Sequence, residues 1–347
     1  MLSTIWISVD EKKERMRHTV WLFLFFIFIL IVLSFINAPS IGSLSSHGVT
    51  LRWTFAAILI LPGIFLVYKS LDEILLLIVP PKMYSKTKLH RFVLTGITLG
   101  PLLFLGIDQL ASSSSSSGNG GNNSKEAIGK ITHYFGFQLY FLGVNWVGWK
   151  FLSKFLLSGL SEKEKVGIQR SGGKLLRWHF LGWSTFFLLS LYFPIWVVIT
   201  CLCLTFFNNS FAFIFGRHFG KTRFSKFSSS KTVEGFFASL IVSFICFRLF
   251  MFGIFETESF KHKELSCELP TWLIWLWILG ASILIHLGDQ SFSVCKRILG
   301  YKNFGRMFGR QVGGFWDRFD SLAPALVFSS VVIWIFYAAK NSTIGIP

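Results

Sequence analysis

Charged residues are scarce in this sequence. Asp, Glu, Lys and Arg together make up 15% of its 347 residues, whereas a soluble domain usually has roughly a quarter. Hydrophobic residues make up 52%, and 41 residues are Phe. A chain of this composition would expose a large apolar surface in water. The composition therefore excludes an ordinary soluble globular protein and indicates that lipid is the solvent.

Cysteine is also sparse. The five cysteines form no C-x-x-C pair and no cluster with His, and Cys201, Cys203 and Cys246 lie within apolar runs. Thiols in such runs are usually buried and unreactive. The pattern excludes a disulfide framework and a zinc site as the basis of the fold.

Acidic residues are the scarcer of the two charge signs. The chain has 17 Asp and Glu against 34 Lys and Arg, so its formal net charge is +17. A basic excess of this size is typical of nucleic-acid-binding proteins, but also of membrane proteins, whose Lys and Arg collect in cytoplasmic loops. The low overall polarity favours the second explanation, and we predict no nucleic-acid partner.

Long hydrophobic runs dominate the sequence instead, and their charged flanks separate them into helices long enough to cross a bilayer. We predict an all-α, polytopic integral membrane protein with about nine transmembrane helices. Pro194 divides one long run, and it marks either a break between two helices or a kink in one. With a break, the predicted spans are 20–38, 53–68, 92–108, 132–149, 178–192, 194–207, 235–255, 271–288 and 322–339.

The distribution of Lys and Arg predicts the orientation of these spans. With the N-terminus in the cytoplasm, 27 of the 34 basic residues lie in cytoplasmic segments and 6 on the opposite side. This asymmetry would be lost without the break at Pro194. The N-terminus and both polar loops described below are therefore predicted to be cytoplasmic. A bacterial inner membrane is favoured by the short chain, with the endoplasmic reticulum as the alternative in a eukaryote.

The predicted spans divide the chain into three regions. Residues 1–19 form a cytoplasmic tail, 20–177 an N-terminal transmembrane region, and 178–347 a C-terminal transmembrane region that holds both polar loops. Residues 111–124 are rich in Ser, Gly and Asn and are predicted to form a flexible loop, because they have little apolar surface to bury. The first span is predicted to be a retained anchor, since its apolar stretch is too long for a signal peptide and lacks a clear cleavage site.

The first polar loop runs from Asn208 to Gly235. It combines glycines, including Gly216 and Gly220, with several cations beside the start of a helix. Glycine lets a ligand approach the backbone, amides donate hydrogen bonds, and Lys and Arg neutralise anions, so the combination suits a polyphosphate. A plain cytoplasmic connection would have the same composition, and this loop alone does not decide between the two.

The second polar loop, 288–302 and 313–321, is more specific. It holds three carboxylates at the membrane edge, Asp289, Asp317 and Asp320, close in sequence to the cations Lys296, Arg297 and Arg318. Acidic residues at such a boundary are costly and usually serve a function. A few carboxylates together with substrate phosphates are the ligands that Mg²⁺ prefers. The alternative is a set of local ion pairs.

Both loops resemble blocks of the phosphatidate cytidylyltransferases, also called CDP-diacylglycerol synthases. The second loop is similar to S-x-x-K-R, then K-D, then H-G-G-x-x-D-R-x-D-S, and its matching residues are Ser293, Lys296, Arg297, Lys302, Gly313, Gly314, Asp317, Arg318, Asp320 and Ser321. The first is similar to N-D-x-x-A-Y-x-x-G, F-G-[KR]-T-P and S-P-x-K-T-W-E-G. Its matching residues are Asn208, Ala212, Gly216, Phe219, Gly220, Thr222, Ser228, Lys231, Thr232, Glu234 and Gly235. The two blocks occur in the family's order and cover roughly residues 205–325.

The resemblance implies an enzyme that transfers CMP from CTP to phosphatidate, giving CDP-diacylglycerol and pyrophosphate, with 178–347 as the catalytic region. It implies that Asp289 and Asp317 hold Mg²⁺. The implied catalytic residues are these two with Lys296, Arg297 and Arg318. The implied substrate-binding residues are Asn208, Asn209, Gly216, Gly220, Lys221, Thr222, Ser228, Lys231, Thr232, Glu234, Ser293, Lys302, Gly313, Gly314, Asp320 and Ser321. CTP, phosphatidate and the lipid bilayer are the implied partners, and a homodimer is left open.

The chain departs from the family pattern at several positions. Asn209 stands where the pattern has Asp, and Val312 where it has His, so one carboxylate and one imidazole are missing. These changes leave open a catalytically silent relative that acts as a structural or binding subunit. A CTP-dependent polyprenol or phytol kinase is another alternative, because such enzymes share features of the first loop. A transporter is the third, with Arg248 as the clearest ionisable residue deep in a span.

Overall fold

The computed structural model describes residues 63–79, 84, 87–115, 123–157, 160–192, 195–225, 228–255, 271–301 and 314–343. Numbered in chain order, the helices are α1 (63–78), α2 (Lys88–Ser115), α3 (Asn123–Leu156), α4 (Glu162–Tyr192), α5 (Ile195–Phe219), α6 (Val233–Phe255), α7 (Thr271–Ile298), α8 (Trp316–Phe319) and α9 (Leu322–Thr343). Two short strands, β1 (Arg223–Ser225) and β2 (Ser228–Thr232), connect α5 to α6.

The helices agree with the predicted spans in position but extend beyond them. The predicted span 271–288 lies in α7, for example, and this helix continues to Ile298. Helix α4 ends at Tyr192 and α5 begins at Ile195, and Pro194 lies between them, outside the described residues, so a break or a kink there stays a prediction. Polar residues can cap a helix beyond its apolar span by accepting hydrogen bonds from the first backbone amides. At the start of α4, the Ser161 amide donates to the Glu164 carboxylate at 3.2 Å.

Some predictions concern residues outside this part of the chain. The tail 1–19, the span 20–38 and most of the span 53–68 lie outside the described residues. So do residues 116–122 of the Ser/Gly/Asn segment, whose two ends belong to α2 and α3.

Two of the described helices are long and apolar enough to cross a membrane. They contain the segments Val197–Phe219 in α5 and Trp272–Ile298 in α7, and the shorter apolar segments Val233–Phe247 and Leu322–Phe336 lie in α6 and α9. With the apolar composition, these helices support a helical protein that associates with the membrane.

The connection between α5 and α6 is the one described segment that departs from the all-α prediction. Strands β1 and β2 pair antiparallel, with Arg223 opposite Thr232 and Ser225 opposite Ser228. The segment is rich in Ser and Thr, which have low helix propensity. Because its ends are held side by side by two neighbouring helices, its backbone groups pair with each other instead. The all-α prediction is therefore wrong for this hairpin and correct for the other described elements.

Two hydrophobic clusters hold the helices together. The first joins α1, α2, α3, α4, α7, α8 and α9, and its largest buried side chains include Phe292 and Trp316, whose rings stack at 5.5 Å. The second joins α3, α4, α5, α6, α7 and α9. Phe186 and Phe319 pack against both clusters. Helices α3, α4, α7 and α9 thus belong to both clusters, and α7 is packed against both of them.

Helices α5 and α6 cross at two glycines, Gly216 and Gly235. A β-carbon added at Gly235 would lie 2.6 Å from the Ala212 carbonyl oxygen and 2.9 Å from the Gly216 α-carbon. These are backbone atoms, which cannot move aside as a side chain can. Small residues at a crossing let two membrane helices approach closely. The crossing therefore fixes the position of the hairpin that connects α5 to α6.

Replacing Gly235 by Ala should therefore push α5 and α6 apart. Overpacking of this kind costs about 1–3 kcal/mol, so we expect a lower thermal midpoint of the detergent-solubilised protein. Gly143→Ala is the matched control, because an added β-carbon there meets nothing within 4 Å. Equal thermal midpoints for the two variants would contradict the proposed crossing.

Candidate active site

Two lysine–carboxylate contacts lie near the C-terminal end of α7, which is predicted to face the cytoplasm. Lys231, from strand β2, contacts the Asp289 carboxylate. Lys296, further along the same face of α7, lies 2.8 Å from Asp317 and 3.8 Å from Asp320. The Lys296 and Asp317 side chains are only 10% and 12% exposed. Because a buried ion is costly without a partner, removing either of these side chains should destabilise the fold.

Helix α7 carries the acidic and basic residues that were predicted to lie in a loop. Asp289, Ser293 and Lys296 follow one another at helical spacings of four and three, so they share one face. The Ser293 hydroxyl donates to Asp289 at 3.4 Å. Arg297 lies on an exposed part of the helix and donates to the Tyr301 carbonyl at 3.2 Å. The loop prediction for 289–297 is therefore wrong, because an apolar helix extends through these residues.

The second acidic group lies on and after the short helix α8. One oxygen of the Asp317 carboxylate accepts the Gly314 amide at 3.0 Å, while the other accepts Lys296. Asp320 follows α8 and is buried, as is the adjacent Ser321. Burial raises the pKa of Asp320, and the charges of Lys296 and Lys231 act against that increase. The two lysines therefore face a common group of carboxylates.

Close backbone packing joins the segment around Asp289 to the segment around Asp320. A β-carbon added at Gly288 would lie 2.5 Å from Pro324 and 3.0 Å from the Asp320 carbonyl oxygen. The residue preceding Asp289 therefore packs against the chain at Asp320. A larger residue at 288 would separate the α7 carboxylate from those that follow α8.

Strand β2 supplies Lys231 to this group. The pKa of Lys231 is lowered to about 8, because burial outweighs the opposing charge of Asp320 and the charge of Lys296 acts in the same direction as burial. Direct contact with the Asp289 carboxylate favours the charged form. The neighbouring carboxylates thus partly offset the cost of burying this ammonium.

Other residues of the first block build the hairpin that carries Lys231. The Glu234 carboxylate accepts the Thr222 amide at 2.9 Å. The Thr232 hydroxyl accepts the Gly235 amide at 3.1 Å, as a helix cap does. Gly220 lies so close to Thr232 that a β-carbon would be 2.6 Å from its hydroxyl. These contacts stabilise the local fold, and a direct role in binding substrate stays a prediction for these residues and for Gly216.

Two asparagines of the first block have different surroundings. Asn208 is fully buried and donates to the Leu204 carbonyl at 2.9 Å and to Ser282 at 3.1 Å. Asn209 donates to the Ser321 hydroxyl at 2.8 Å, and that hydroxyl lies 3.3 Å from Asp320. Asn209 thus reaches the carboxylate group from α5, while Asn208 joins α5 to α7.

The remaining predicted site residues are less fully described. Lys221 and Thr222 are exposed before β1, and Ser228 begins β2. Gly314 is buried at the start of the α8 segment. Arg318 belongs to α8, but its side chain lies outside the description, as do Lys302 and Gly313.

The donor set suits a divalent cation that is shared with a ligand. Among the described residues, no group of three His, Cys, Asp or Glu side chains is placed to hold a metal ion without other ligands. Asp289 and Asp317 are separate carboxylates, each beside an ammonium. Mg²⁺ is commonly bound by one or two carboxylates plus substrate phosphates, and these residues fit that type of site.

Two residues of α1 that the sequence reasoning missed also reach the site. The Glu73 carboxylate accepts the Phe315 amide at 2.6 Å, and the Ser70 carbonyl accepts the Trp316 indole N–H at 3.1 Å. The available signal was the acidic pair Asp72 and Glu73 beside an apolar run. The same signal drew attention to Asp289.

Comparison with known proteins gives consistent results. The model of the cytidylyltransferase family matches residues 3–336. The chain is 35% identical over 159 residues to a phosphatidate cytidylyltransferase of Aquifex aeolicus, covering 45% of this chain and 49% of that protein. It is 34% identical over 123 residues to one of Staphylococcus haemolyticus, covering 35% and 43%. Phosphatidate cytidylyltransferase 3 of Arabidopsis thaliana is 28% identical over 172 residues, covering 40% and 36%.

The chain spans half or less of the length of each of these relatives. The family model, however, matches nearly the whole chain. The two sequence blocks of the chain meet in one group of charged residues. The chain therefore belongs to the cytidylyltransferase family.

Proposed function

We propose that this protein transfers CMP from CTP to phosphatidate, forming CDP-diacylglycerol and releasing pyrophosphate. One observation carries the proposal: the two sequence blocks, far apart in the chain, meet through the contact of Lys231 with Asp289. The relatives' names supply the activity and the lipid substrate. The site supplies lysines that can neutralise phosphates and carboxylates that suit a divalent cation.

The proposed reaction needs little covalent participation from the protein. The phosphate of phosphatidate attacks the α-phosphorus of CTP, and the bond from that phosphorus to the pyrophosphate oxygen breaks. The attacking oxygen is already anionic, so no strong general base is required. Positioning and charge neutralisation supply most of the rate increase in such transfers. Lys231 and Lys296 are the buried cations that would neutralise phosphate oxygens.

Asp289 and Asp317 would hold Mg²⁺ in the proposed enzyme. A bound Mg²⁺ supplies positive charge that neutralises phosphate oxygens as pyrophosphate leaves. The Ser293 hydroxyl donates to Asp289, and the Gly314 amide donates to Asp317. These hydrogen bonds fix the orientation of each carboxylate, as outer groups do around metal ligands.

The proposed enzyme lies in the membrane with this site at the cytoplasmic surface, where CTP is available. The count of nine spans and the cytoplasmic N-terminus remain part of the proposal, supported by the asymmetry of 27 against 6 basic residues. The lipid tails would enter from the bilayer between helices. A bacterial inner membrane, with the endoplasmic reticulum as the alternative, remains part of the proposal.

Asp289→Asn and Asp317→Asn should each abolish Mg²⁺-dependent formation of CDP-lipid. Loss of a catalytic metal ligand costs several kcal/mol, so we expect less than about a tenth of the wild-type rate. The measurement uses labelled CTP, phosphatidate and Mg²⁺ with the purified protein, and membrane insertion is measured in parallel. A rate above that limit would make the two residues members of structural ion pairs. Absence of product from the wild type would favour a silent relative.

Lys296 and Arg297 are adjacent on α7 but differ in burial, so their removal should affect stability differently. Lys296→Met leaves Asp317 and Asp320 without their nearest described cation, and breaking a buried pair costs about 3–5 kcal/mol. We therefore expect a lower thermal midpoint and loss of activity. Arg297→Met should leave the thermal midpoint unchanged, because this side chain is exposed. Equal midpoints for both variants would be inconsistent with the buried pair.

Asn209→Asp should lower the Mg²⁺ concentration needed for half-maximal activity. Asn209 lies beside the carboxylate group through Ser321 but brings no negative charge. Ligand charge is a large part of the affinity for a hard cation. Asn209→Ala is the comparison, since it removes the hydrogen bond without adding charge. If both variants increase the Mg²⁺ requirement, the amide hydrogen bond matters and the missing charge does not.

A further inference from the structure

Helix α1 holds the backbone segment that precedes Asp317. Glu73 is 4% exposed, and its carboxyl group accepts the Phe315 amide at 2.6 Å. The same carboxyl group lies against the α-carbon of Gly314, where an added β-carbon would overlap it. Glu73 thus contacts the two residues immediately before α8.

A second contact from α1 lies one turn away. The Ser70 carbonyl accepts the Trp316 indole N–H at 3.1 Å. The Ser70 hydroxyl lies 3.1 Å from His179 and accepts the Trp183 indole N–H at 3.0 Å, which ties this part of α1 to α4. The support for residues 314–316 is therefore itself anchored in the first hydrophobic cluster.

These contacts determine how Asp317 is presented. The Gly314 amide donates to one oxygen of Asp317, and Lys296 donates to the other. The carboxylate orientation therefore depends on the position of the Gly314 backbone, and Glu73 fixes that position from the opposite side. A carboxyl group in an apolar cluster is costly to bury, and an apolar side chain could fill the space but could not accept the Phe315 amide.

We propose that Glu73 is a positioning residue for Asp317 and that it sets the affinity of the site for Mg²⁺. The inference rests on the proposed function insofar as Mg²⁺ is the ion held by Asp289 and Asp317. It adds a residue of the N-terminal region to a site otherwise built from the C-terminal region. Glu73 itself acts through the backbone at 314–315 and touches no substrate.

The test compares variants by the hydrogen bond that they can accept. Glu73→Met keeps the length of the side chain but cannot accept the Phe315 amide, whereas Glu73→Gln retains a carbonyl acceptor. Asp72→Asn is the matched control, because the neighbouring Asp72 contacts Arg91 and Tyr84 instead. The full chain is purified in detergent, and its thermal midpoint is measured across a Mg²⁺ titration. Formation of CDP-lipid is measured over the same titration.

Glu73→Met should increase the half-saturating Mg²⁺ concentration by about tenfold or more in both measurements, the size of effect found when outer groups around metal ligands are removed. Glu73→Gln should remain within about threefold of the wild type, as should Asp72→Asn. The proposal is overturned if Glu73→Met lowers the thermal midpoint without changing the Mg²⁺ dependence, because that is the result of a purely structural role. If Glu73→Met does not accumulate, Glu73→Asp replaces it. The shorter side chain should increase the Mg²⁺ requirement, and an unchanged requirement also overturns the proposal.

The thermal titration separates the two proposals. If the wild type binds Mg²⁺ but forms no CDP-lipid, the proposed function fails, and the effect of Glu73→Met on Mg²⁺ binding still decides the positioning role. If the wild type forms CDP-lipid and Glu73→Met matches it at every Mg²⁺ concentration, the positioning role fails and the proposed function stands.

Discussion

The pairing of Lys231 and Lys296 with carboxylates is the constraint on which the rest of the site depends. Ions in an apolar protein are tolerated only when a partner of opposite charge is close. Lys296 is 10% exposed and Asp317 12%, and a buried ion that loses its partner destabilises the fold. This requirement brings charged residues of three separate elements, β2, α7 and the α8 segment, together at one place. Packing of the helices elsewhere in the fold holds these elements together.

Two close backbone approaches meet this requirement. Gly216 and Gly235 let α5 and α6 cross closely, so that the hairpin between them returns Lys231 to Asp289. Gly288 lets α7 pack against the chain at Asp320. A β-carbon at Gly235 or Gly288 would meet backbone atoms at 3.0 Å or less, so the two chain segments would have to separate. Glycines predicted to lie in a phosphate-binding site thus also have a role in helix packing.

How much could be predicted from the sequence depended on whether the signal was local. Apolar runs gave the positions of the later helices, and the acidic residues at the membrane edge indicated the site. The helix was not predicted for Asp289 to Arg297, because polar residues follow the apolar span at this point. In the structure the same helix continues through these residues as an amphipathic segment. Glu73 was missed because its contact with Phe315 spans most of the chain. No local pattern encodes such a pairing, and only the packing of α1 against α8 creates it.

The charge balance of the buried group explains why a divalent cation is part of the proposal. Among the side chains that the structure describes, Asp289, Asp317 and Asp320 lie beside two lysines, the buried Lys296 and the partly buried Lys231. Burial raises the pKa of Asp320, which eases this excess of acid but does not make the site attractive to a polyphosphate. Two negative phosphates brought to such a group would repel the carboxylates strongly at low effective dielectric. In the proposed enzyme, a cation shared between carboxylates and phosphates would reverse that repulsion, and the lysines would contact the remaining phosphate oxygens. Both substrates of the proposed reaction are anions, so the same carboxylates that would repel them would be useful only through the ion that they are proposed to hold.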